Sequence, residues 1–475
     1  MLFNSFSFLL FFPVVTILYF IIPYKWRWLH LLLASCVFYM AFIPVYIFIL
    51  LFTIVVDYFA GIFIEVSRGR KRKFFLITSI VANISILAIF KYYNFFVENI
   101  NALFHLSAAN AIPYLSIILP IGLSFHTFQA MSYTIEVYRG KQAAERHFGI
   151  YALYVMFYPQ LVAGPIERPQ NLLWQFRIKH EYKIDRIYEG LKLMLWGLFK
   201  KVVIADRLAL YVNDVYGNYI HWEGANYFLA TIFFAFQIYC DFSGYSDMAI
   251  GSAKVMGFHL MTNFNRPYFA KDIQEFWKRW HISLSTWFRD YVYIPLGGNR
   301  GTKTRVYLNV AIVFLLSGFW HGANWNFIIW GGIHAVLIIA YMVYKEYSGN
   351  LIGDKNRFLN LLGMILTFFC VCIGWIFFRA ADAGQAITML KGIIHADWSS
   401  FRLNISTGDV PFGTTSAVIS LFMIAVLLLN EKFQNVQQLS LNARPVADIL
   451  YNAAILCMVI VFGVFQKTSF IYFQF

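Results

Sequence analysis

The sequence contains several segments whose residues could carry out chemistry, and the first to consider is centred on a histidine. His321 lies in segment 317–325, SGFWHGANW, between two apolar runs. An ionisable side chain in such a run is costly to bury and is by default a candidate for function. Gly318 and Gly322 would let a substrate or another backbone approach the ring. Spacing alone supports a catalytic histidine and a histidine that only hydrogen-bonds a neighbouring helix about equally.

A second stretch, 263–298, combines aromatic, basic and histidine residues in the sequence NFNRPYFAKDIQEFWKRWHISLSTWFRDYVYIPLGG. As one helix, it would carry an apolar aromatic stripe from Ile273 to Tyr291, with charged side chains on the other side. This pattern is typical of a helix in the cytoplasmic membrane interface. His281 borders the stripe beside Trp280. Periodicity alone favours a lipid-anchoring helix with an incidental histidine, by roughly two to one.

Two carboxylates, Asp241 and Asp247, interrupt another apolar run. They are six positions apart, which places them about 120° apart on a helix, so a catalytic carboxylate pair is a poor prediction. Asp241 and Tyr245 are four residues apart and share a face, which favours a structural role. His334 follows His321 by thirteen residues. On one continuous helix these two rings would be nearly opposite, and the pattern predicts that they do not cooperate.

The elements that position these residues follow from composition. The 475 residues are 60% hydrophobic, 20% aromatic and 13% charged, whereas a soluble domain has roughly 25% charged residues. A soluble globule could not hide so much apolar surface, which excludes a cytosolic enzyme, a secreted disulfide scaffold and a disordered chain. The composition predicts an all-α, polytopic integral membrane protein with about eleven to thirteen membrane segments. The predicted segments are 6–23, 29–43, 45–65, 74–96, 113–136, 148–163, 187–204, 225–250, 306–320, 322–344, 358–378, 412–430 and 446–466.

The distribution of Lys and Arg predicts the orientation of the chain. Its net charge of +14 is concentrated between apolar runs, which indicates contact with anionic lipid headgroups and not with nucleic acid. Loops 68–73, 345–357 and 431–445 are predicted to face the cytoplasm, and loops 97–112 and 379–411 the outside. Both termini would then be extracytoplasmic. The first apolar segment lacks a basic leader, which predicts a retained span and not a signal peptide.

Four motifs in order, covering nearly the whole chain, resemble the membrane-bound O-acyltransferase family. The likeness is to its bacterial branch, which includes the alginate O-acetyltransferase membrane subunit and the teichoic-acid D-alanyl transfer protein. The motifs occupy 161–168 (LVAGPIER), 237–251, 263–300 and 317–335.

The resemblance implies an architecture and roles for particular residues. We expect a single membrane domain, 1–475, with core motifs in 160–345 and peripheral spans in 1–110 and 358–475. Its helices would form a ring around a transmembrane tunnel, with re-entrant or interfacial helices. His321 matches the family's signature histidine and would be the general base, and His281 matches the second motif histidine and would position the donor. The side chains expected to line the tunnel are Asp241, Tyr245, Trp280, Trp320, Asn324 and Trp325.

The resemblance also implies the reaction and the partners. We expect acyl transfer, acetyl above all, from a cytoplasmic thioester such as acetyl-CoA or an acyl-carrier phosphopantetheine. The acceptor would be an extracytoplasmic polysaccharide such as alginate, and the location a bacterial inner membrane. Expected partners are a periplasmic acetyltransferase-like subunit, a polysaccharide synthesis and export complex, and membrane lipids, with no permanently bound cofactor and no metal. Two alternatives stay open: D-alanyl or other acyl transfer to teichoic acid and, more distantly, a glycan or lipid transporter.

Overall fold

The computed structural model describes residues 1–106, 110–117, 119–162, 164–348, 357–404, 412–433, 445–465 and 470–471. Every regular element in these ranges is a helix. The prediction of an all-α fold is confirmed. A chain this apolar forms helices because a helix satisfies its own backbone hydrogen bonds, as a lipid environment requires.

The first half of the chain is a series of helices of very different lengths. They are α1 (Phe6–Ile21), α2 (Tyr24–Met40), α3 (Ile47–Val66), α4 (Gly69–Leu87), α5 (Tyr93–Leu103), α6 (Leu123–Tyr138), α7 (Phe148–Met156), α8 (Tyr158–Leu161), α9 (Pro169–Leu172) and α10 (Ile184–Leu198).

The second half alternates long helices with short, broken ones. They are α11 (Asp206–Gly217), α12 (Gly224–Met256), α13 (Ile273–Arg279), α14 (Ile282–Phe288), α15 (Lys303–His321), α16 (Trp325–Ser348), α17 (Arg357–Arg379), α18 (Ala383–Ile394), α19 (Thr414–Phe433) and α20 (Pro445–Phe462).

Five helical stretches in the described residues are long and apolar enough to cross a membrane. They are Pro44–Val66, Gly69–Leu103, Trp325–Tyr347, Arg357–Arg379 and Thr414–Phe433. Two shorter apolar helices, Phe6–Ile21 and Val446–Phe462, flank this set in sequence.

Helix boundaries depart from the predicted segments where the backbone turns. The segment predicted at 113–136 becomes helical only at Leu123, because Gly122 before it adopts a left-handed conformation with φ of 77°. Four predicted loops are only partly covered by the structure: residues 107–109, 349–356, 405–411 and 434–444 lie outside the described ranges.

By its internal contacts the chain divides into two compact units, Met1–Met194 with Tyr245–Met261, and Leu195–Gly244 with Thr262–Phe475. The first unit buries an acid among neutral partners. The carboxylate of Asp57 accepts hydrogen bonds from the Ser79 hydroxyl at 2.6 Å and the Asn83 amide at 3.0 Å. The Ser79 and Thr134 hydroxyls lie 2.9 Å apart. This network joins α3, α4 and α6 in the interior of the unit.

The second unit has a core dominated by aromatic rings. Its buried cluster draws residues from α11, α12, α13 and α15 to α20. Both candidate histidines, His281 and His321, belong to this unit and are almost completely buried. The candidate site can therefore be described within one compact unit.

Candidate active site

His321 is the last residue of α15, and close packing of α15 on α16 fixes its position. A Cβ atom on Gly318 would lie 2.1 Å from the carbonyl oxygen of Phe327, and one on Gly331 would lie 2.3 Å from that of Phe314. Such distances are prohibitive, so only glycine allows the two backbones to touch here. Small residues serve the same purpose in many membrane helix pairs.

Another part of the chain also fills the space beside Gly322. A Cβ atom on Gly322 would lie 2.1 Å from the ring of Phe327, which fills the space beside it. Of the two uses predicted for Gly318 and Gly322, approach of another part of the chain is correct. Approach of a substrate to the His321 ring stays a prediction.

The imidazole of His321 is held by aromatic rings from three helices. Its centroid lies 5.0 Å from that of Trp320 on α15, 5.0 Å from Trp330 on α16 and 5.3 Å from Phe378 on α17. All three contacts are edge-to-face, the favoured geometry for aromatic pairs. Packing thus orients this ring on three sides.

The segment predicted as one helix over 273–291 is broken at His281, so that prediction is wrong. His281 has φ of 43° and ψ of 54°, a left-handed conformation, between α13 and α14. Asn263 holds the break in place: its carbonyl accepts from the Ile282 N–H at 2.8 Å, and its side-chain oxygen accepts from the Ser283 hydroxyl at 2.6 Å. Asn263, a residue distant in sequence, thus accepts hydrogen bonds from the first two residues of α14.

The break turns the His281 ring into the core. Its centroid lies 4.6 Å from that of Phe242 and 6.3 Å from that of Trp320. His281 lies outside the five candidate spans, and burial lowers its pKa to about 3. The imidazole is therefore neutral at physiological pH. Because Trp320 also contacts His321, the two predicted catalytic histidines share a tryptophan neighbour.

Trp280 packs against protein and not against lipid, which corrects the prediction of a lipid-facing stripe. Its ring stacks on Phe276 with centroids 5.5 Å apart and lies 4.9 Å from Trp375 and 5.1 Å from Phe264. The ring is 1% exposed. The aromatic periodicity of 273–291 thus serves the core of the second unit.

Asp241 belongs to a buried ion-pair cluster. Lys201 Nζ lies 2.6 Å from Asp241 Oδ1 and 2.8 Å from Asp206 Oδ1. The other oxygen of Asp241 accepts the backbone N–H of Ile471 at 2.7 Å. This arrangement supports the structural role expected for Asp241. It also anchors the turn of α12 that carries Phe242, the ring beside His281.

The surroundings of three further residues predicted to line a tunnel, Asn324, Trp325 and Tyr245, are as follows. The Asn324 side chain accepts the Asn326 N–H at 2.9 Å, which caps the start of α16, and donates to the Ala381 carbonyl at 3.2 Å. Trp325 is 56% exposed. Tyr245 belongs to the first compact unit, where its ring lies 4.7 Å from Phe3.

Sequence reasoning missed how His334 and Trp330 join the candidate site. Because α15 ends at His321 and α16 begins at Trp325, the two histidines lie on different helices, and the assumption of one helix is wrong. The Trp330 ring lies 5.0 Å from both imidazoles. The Asn324 cap was the available signal, since asparagine is a preferred residue before a helix.

The arrangement is suited to proton transfer in a water-poor environment. A neutral imidazole can accept a proton from a hydroxyl group as the hydroxyl attacks a carbonyl carbon. Burial among aromatic rings disfavours the charged form of the His281 imidazole.

Comparisons with known proteins agree with this chemistry. Residues 78–381, which include both histidines, match the model of the MBOAT, membrane-bound O-acyltransferase family. The chain is 39% identical to a "probable alginate O-acetylase" of Pseudomonas aeruginosa over 408 residues, 85% of this chain and 77% of the relative.

Two other relatives are named for different activities. A peptidoglycan O-acetyltransferase of Helicobacter pylori is 37% identical over 77% of this chain and 73% of its own length. A teichoic acid D-alanyltransferase of Bacillus subtilis is 30% identical over 54% of this chain and 68% of its own length. The family match and these relatives lead to one conclusion: the chain belongs to the membrane-bound O-acyltransferase family and is a multi-pass membrane O-acyltransferase.

Proposed function

We propose that the chain transfers an acetyl group from a cytoplasmic thioester towards hydroxyl groups of an extracytoplasmic polysaccharide, with His321 as general base. The observation that carries this proposal is the pairing of His321 and His281 around Trp320 in one buried aromatic cluster. The relatives of Pseudomonas aeruginosa and Helicobacter pylori, with O-acetyl transfer in their names, support acetyl as the acyl group.

The reaction proposed for this chain is one acyl transfer, to a hydroxyl acceptor from which the partner subunit proposed below passes the acetyl group on to the polymer. The acceptor oxygen attacks the thioester carbonyl, the C–O bond forms, and the C–S bond breaks. His321 takes the hydroxyl proton and returns it to the departing thiolate, so atoms and charge balance. His281, neutral because it is buried, would position the thioester arm near the cytoplasmic mouth of a tunnel.

The proposal includes a sidedness and a partner. Donor and acceptor lie on opposite sides of a bacterial inner membrane, with both termini of the chain outside. We propose that a periplasmic acetyltransferase-like subunit docks at the outer loop 379–411 and completes transfer to the polymer. The exposed side chains of Ile394 (74%) and Trp398 (63%) in the described part of this loop support a docking surface there. Full polymer acetylation by the purified chain alone would contradict this division of labour.

D-alanyl transfer to teichoic acid is the second candidate, supported by the relative of Bacillus subtilis. The two candidate functions, acetyl transfer and D-alanyl transfer, differ in the acyl donor that the chain consumes. Purified chain in lipid vesicles receives either a radiolabelled acetyl thioester or a D-alanyl carrier thioester, and donor consumption is measured. We expect turnover of the acetyl donor. Preferential turnover of the D-alanyl donor would replace the proposal with the second candidate.

Orientation has its own experiment. After the five native cysteines are replaced, single cysteines are introduced as Arg70→Cys and Ser399→Cys. In intact cells an impermeant thiol reagent should label position 399 and leave position 70 unlabelled until the cells are opened. Labelling of position 70 in intact cells would overturn the orientation.

A further inference from the structure

A groove on the second compact unit opens between α17 and α19 and is not part of the candidate active site. It encloses about 340 Å³. Its walls are almost wholly apolar, and its lining includes Phe236, Tyr268, Leu361, Ile365, Phe369 and Leu428. Lys432 is a charged side chain in this lining.

The groove faces the hydrocarbon of the membrane. Both α17 and α19 are candidate spans, and Leu361 and Ile365 are 50% and 46% exposed. Exposed apolar side chains on a spanning helix contact acyl chains and not water. From Leu361 to Phe369 the groove follows α17 for about 12 Å at a rise of 1.5 Å per residue. An acyl chain lying along the helix has the shape and polarity of this space.

One end of the groove carries positive charge. Lys432 lies in the last turn of α19 and is exposed. Arg266 donates a hydrogen bond to the carbonyl of Glu431 at 3.3 Å, which brings its guanidinium group to the same helix end. Arg357 begins α17, one turn before Leu361. The carboxylate of Glu431 accepts the hydroxyl of Tyr239.

We propose that this groove binds one acyl chain of an anionic glycerophospholipid, with the lipid phosphate at Lys432 and Arg266. Charge complementarity decides between occupants. Among the described residues at this end, Lys432 and Arg266 outnumber the one carboxylate, Glu431. An apolar helix of a partner protein would leave the excess positive charge uncompensated, whereas an anionic headgroup supplies the missing negative charge. The proposal concerns lipid binding and does not depend on the identity of the acyl donor or acceptor.

Photocrosslinking tests the occupant directly. Ile365 in the groove, or Leu362 beside it as the control, is replaced by p-benzoyl-phenylalanine in the full chain. Leu362 is 52% exposed and lies on the same helix outside the groove lining. In nanodiscs with equal amounts of phosphatidylglycerol and phosphatidylcholine, mass spectrometry measures the ratio of the two lipid adducts. We expect the ratio at position 365 to exceed that at 362 at least about fivefold, the factor that corresponds to ~1 kcal/mol for a single basic residue at an anionic surface.

Two further variants locate the site. Lys432→Gln should lower the ratio at position 365 towards that at 362. Leu428→Trp should fill the groove and reduce the adduct yield at 365 without changing it at 362. Equal ratios at the two positions, an adduct with a protein at 365, or an unchanged ratio in Lys432→Gln would overturn the proposal.

A second experiment does not need the photoreactive variants to fold. It measures the thermal unfolding of the chain without p-benzoyl-phenylalanine in nanodiscs of different lipids. Phosphatidylglycerol nanodiscs should raise the transition temperature above that in phosphatidylcholine. The difference should shrink in Lys432→Gln and persist in Lys391→Gln, which removes an exposed cation of α18. A difference that Lys432→Gln leaves intact would contradict a headgroup site there.

Discussion

His321 and His281 both lie among buried rings beside Trp320, but the chain places them by different means. His321 ends a regular helix of 19 residues, and glycine-mediated packing of that helix on α16 determines where its ring lies. His281 lies in a left-handed break between two helices of seven residues each. Because regular helix packing places His321, we expect that its side chain can be removed with little effect on the backbone. At His281 we expect the left-handed backbone conformation to affect the stability of the fold and the imidazole to affect use of the donor.

Of the variants that distinguish the His321 region from the His281 region, substitution of His321 is expected to have the largest effect, a loss of acyl transfer. His321→Ala should lower acyl transfer roughly 10²–10⁴-fold, because a positioned proton acceptor contributes about that factor. The variant should fold, since alanine leaves no buried charge, and donor affinity should be nearly unchanged. Radiolabelled transfer and donor binding are measured on purified protein, with His221→Ala, an exposed histidine, as control. Retention of more than about a tenth of the wild-type transfer would refute a general base at this position.

The second largest effect tests the ion pair that anchors the turn next to His281. Lys201→Met should leave Asp206 and Asp241 buried without their cation, at a cost of about 3–5 kcal/mol in the free energy of unfolding. Lys254→Met is the matched control, because its partner Glu189 is half exposed and surface pairs contribute at most ~1 kcal/mol. Denaturation in detergent measures both. Equal stability of the two variants would show that the buried pair does not anchor this region.

The same contrast explains what could be predicted from the sequence. Segments 306–320, 358–378 and 412–430 agree with α15, α17 and α19 to within a few residues, because each is a long apolar run. The apolar pattern of 273–291 predicts one helix as strongly as the patterns of those three segments do, but here the prediction is wrong. What breaks that helix is hydrogen bonding to Asn263, a residue whose proximity to the break depends on the tertiary fold.

The candidate site was predictable to a similar extent. His321 and His281 were found from their motifs, and the structure places both beside Trp320. The contacts of Trp330 with His321 and His334 could not be found, because helical spacing describes neighbours within one helix and these residues lie on two. Lys201 was missed for the same reason: Asp241, forty residues away, is its partner only in the folded chain.

A smaller effect should follow from disturbing the helix contact that places His321. Gly318→Ala should destabilise the fold by about 1–3 kcal/mol, the usual cost of overpacking, because its Cβ would lie 2.1 Å from a backbone oxygen. Gly332→Ala on α16 is the control, since the nearest atom to its Cβ is a leucine methyl at 3.9 Å. Thermal unfolding measures both. If Gly318→Ala is as stable as Gly332→Ala, the backbones of α15 and α16 do not meet as described.

The smallest effect separates backbone from side chain at His281. Glycine in a helix is less stable than alanine by about 1 kcal/mol, whereas in a left-handed conformation alanine is the less stable of the two by a similar amount. His281→Gly should therefore be more stable than His281→Ala by ~1 kcal/mol.

The order should reverse inside the adjoining helix, where Thr286→Ala should be more stable than Thr286→Gly, because Thr286 lies in regular α14. Unfolding measurements on the four variants test the sign. Both His281 variants lack the imidazole, so productive use of the cytoplasmic donor should fall equally in the two, whatever their stability. The same order at both positions would contradict the left-handed break. Recovery of wild-type donor use in His281→Gly would show that the backbone conformation matters at this position and the imidazole does not.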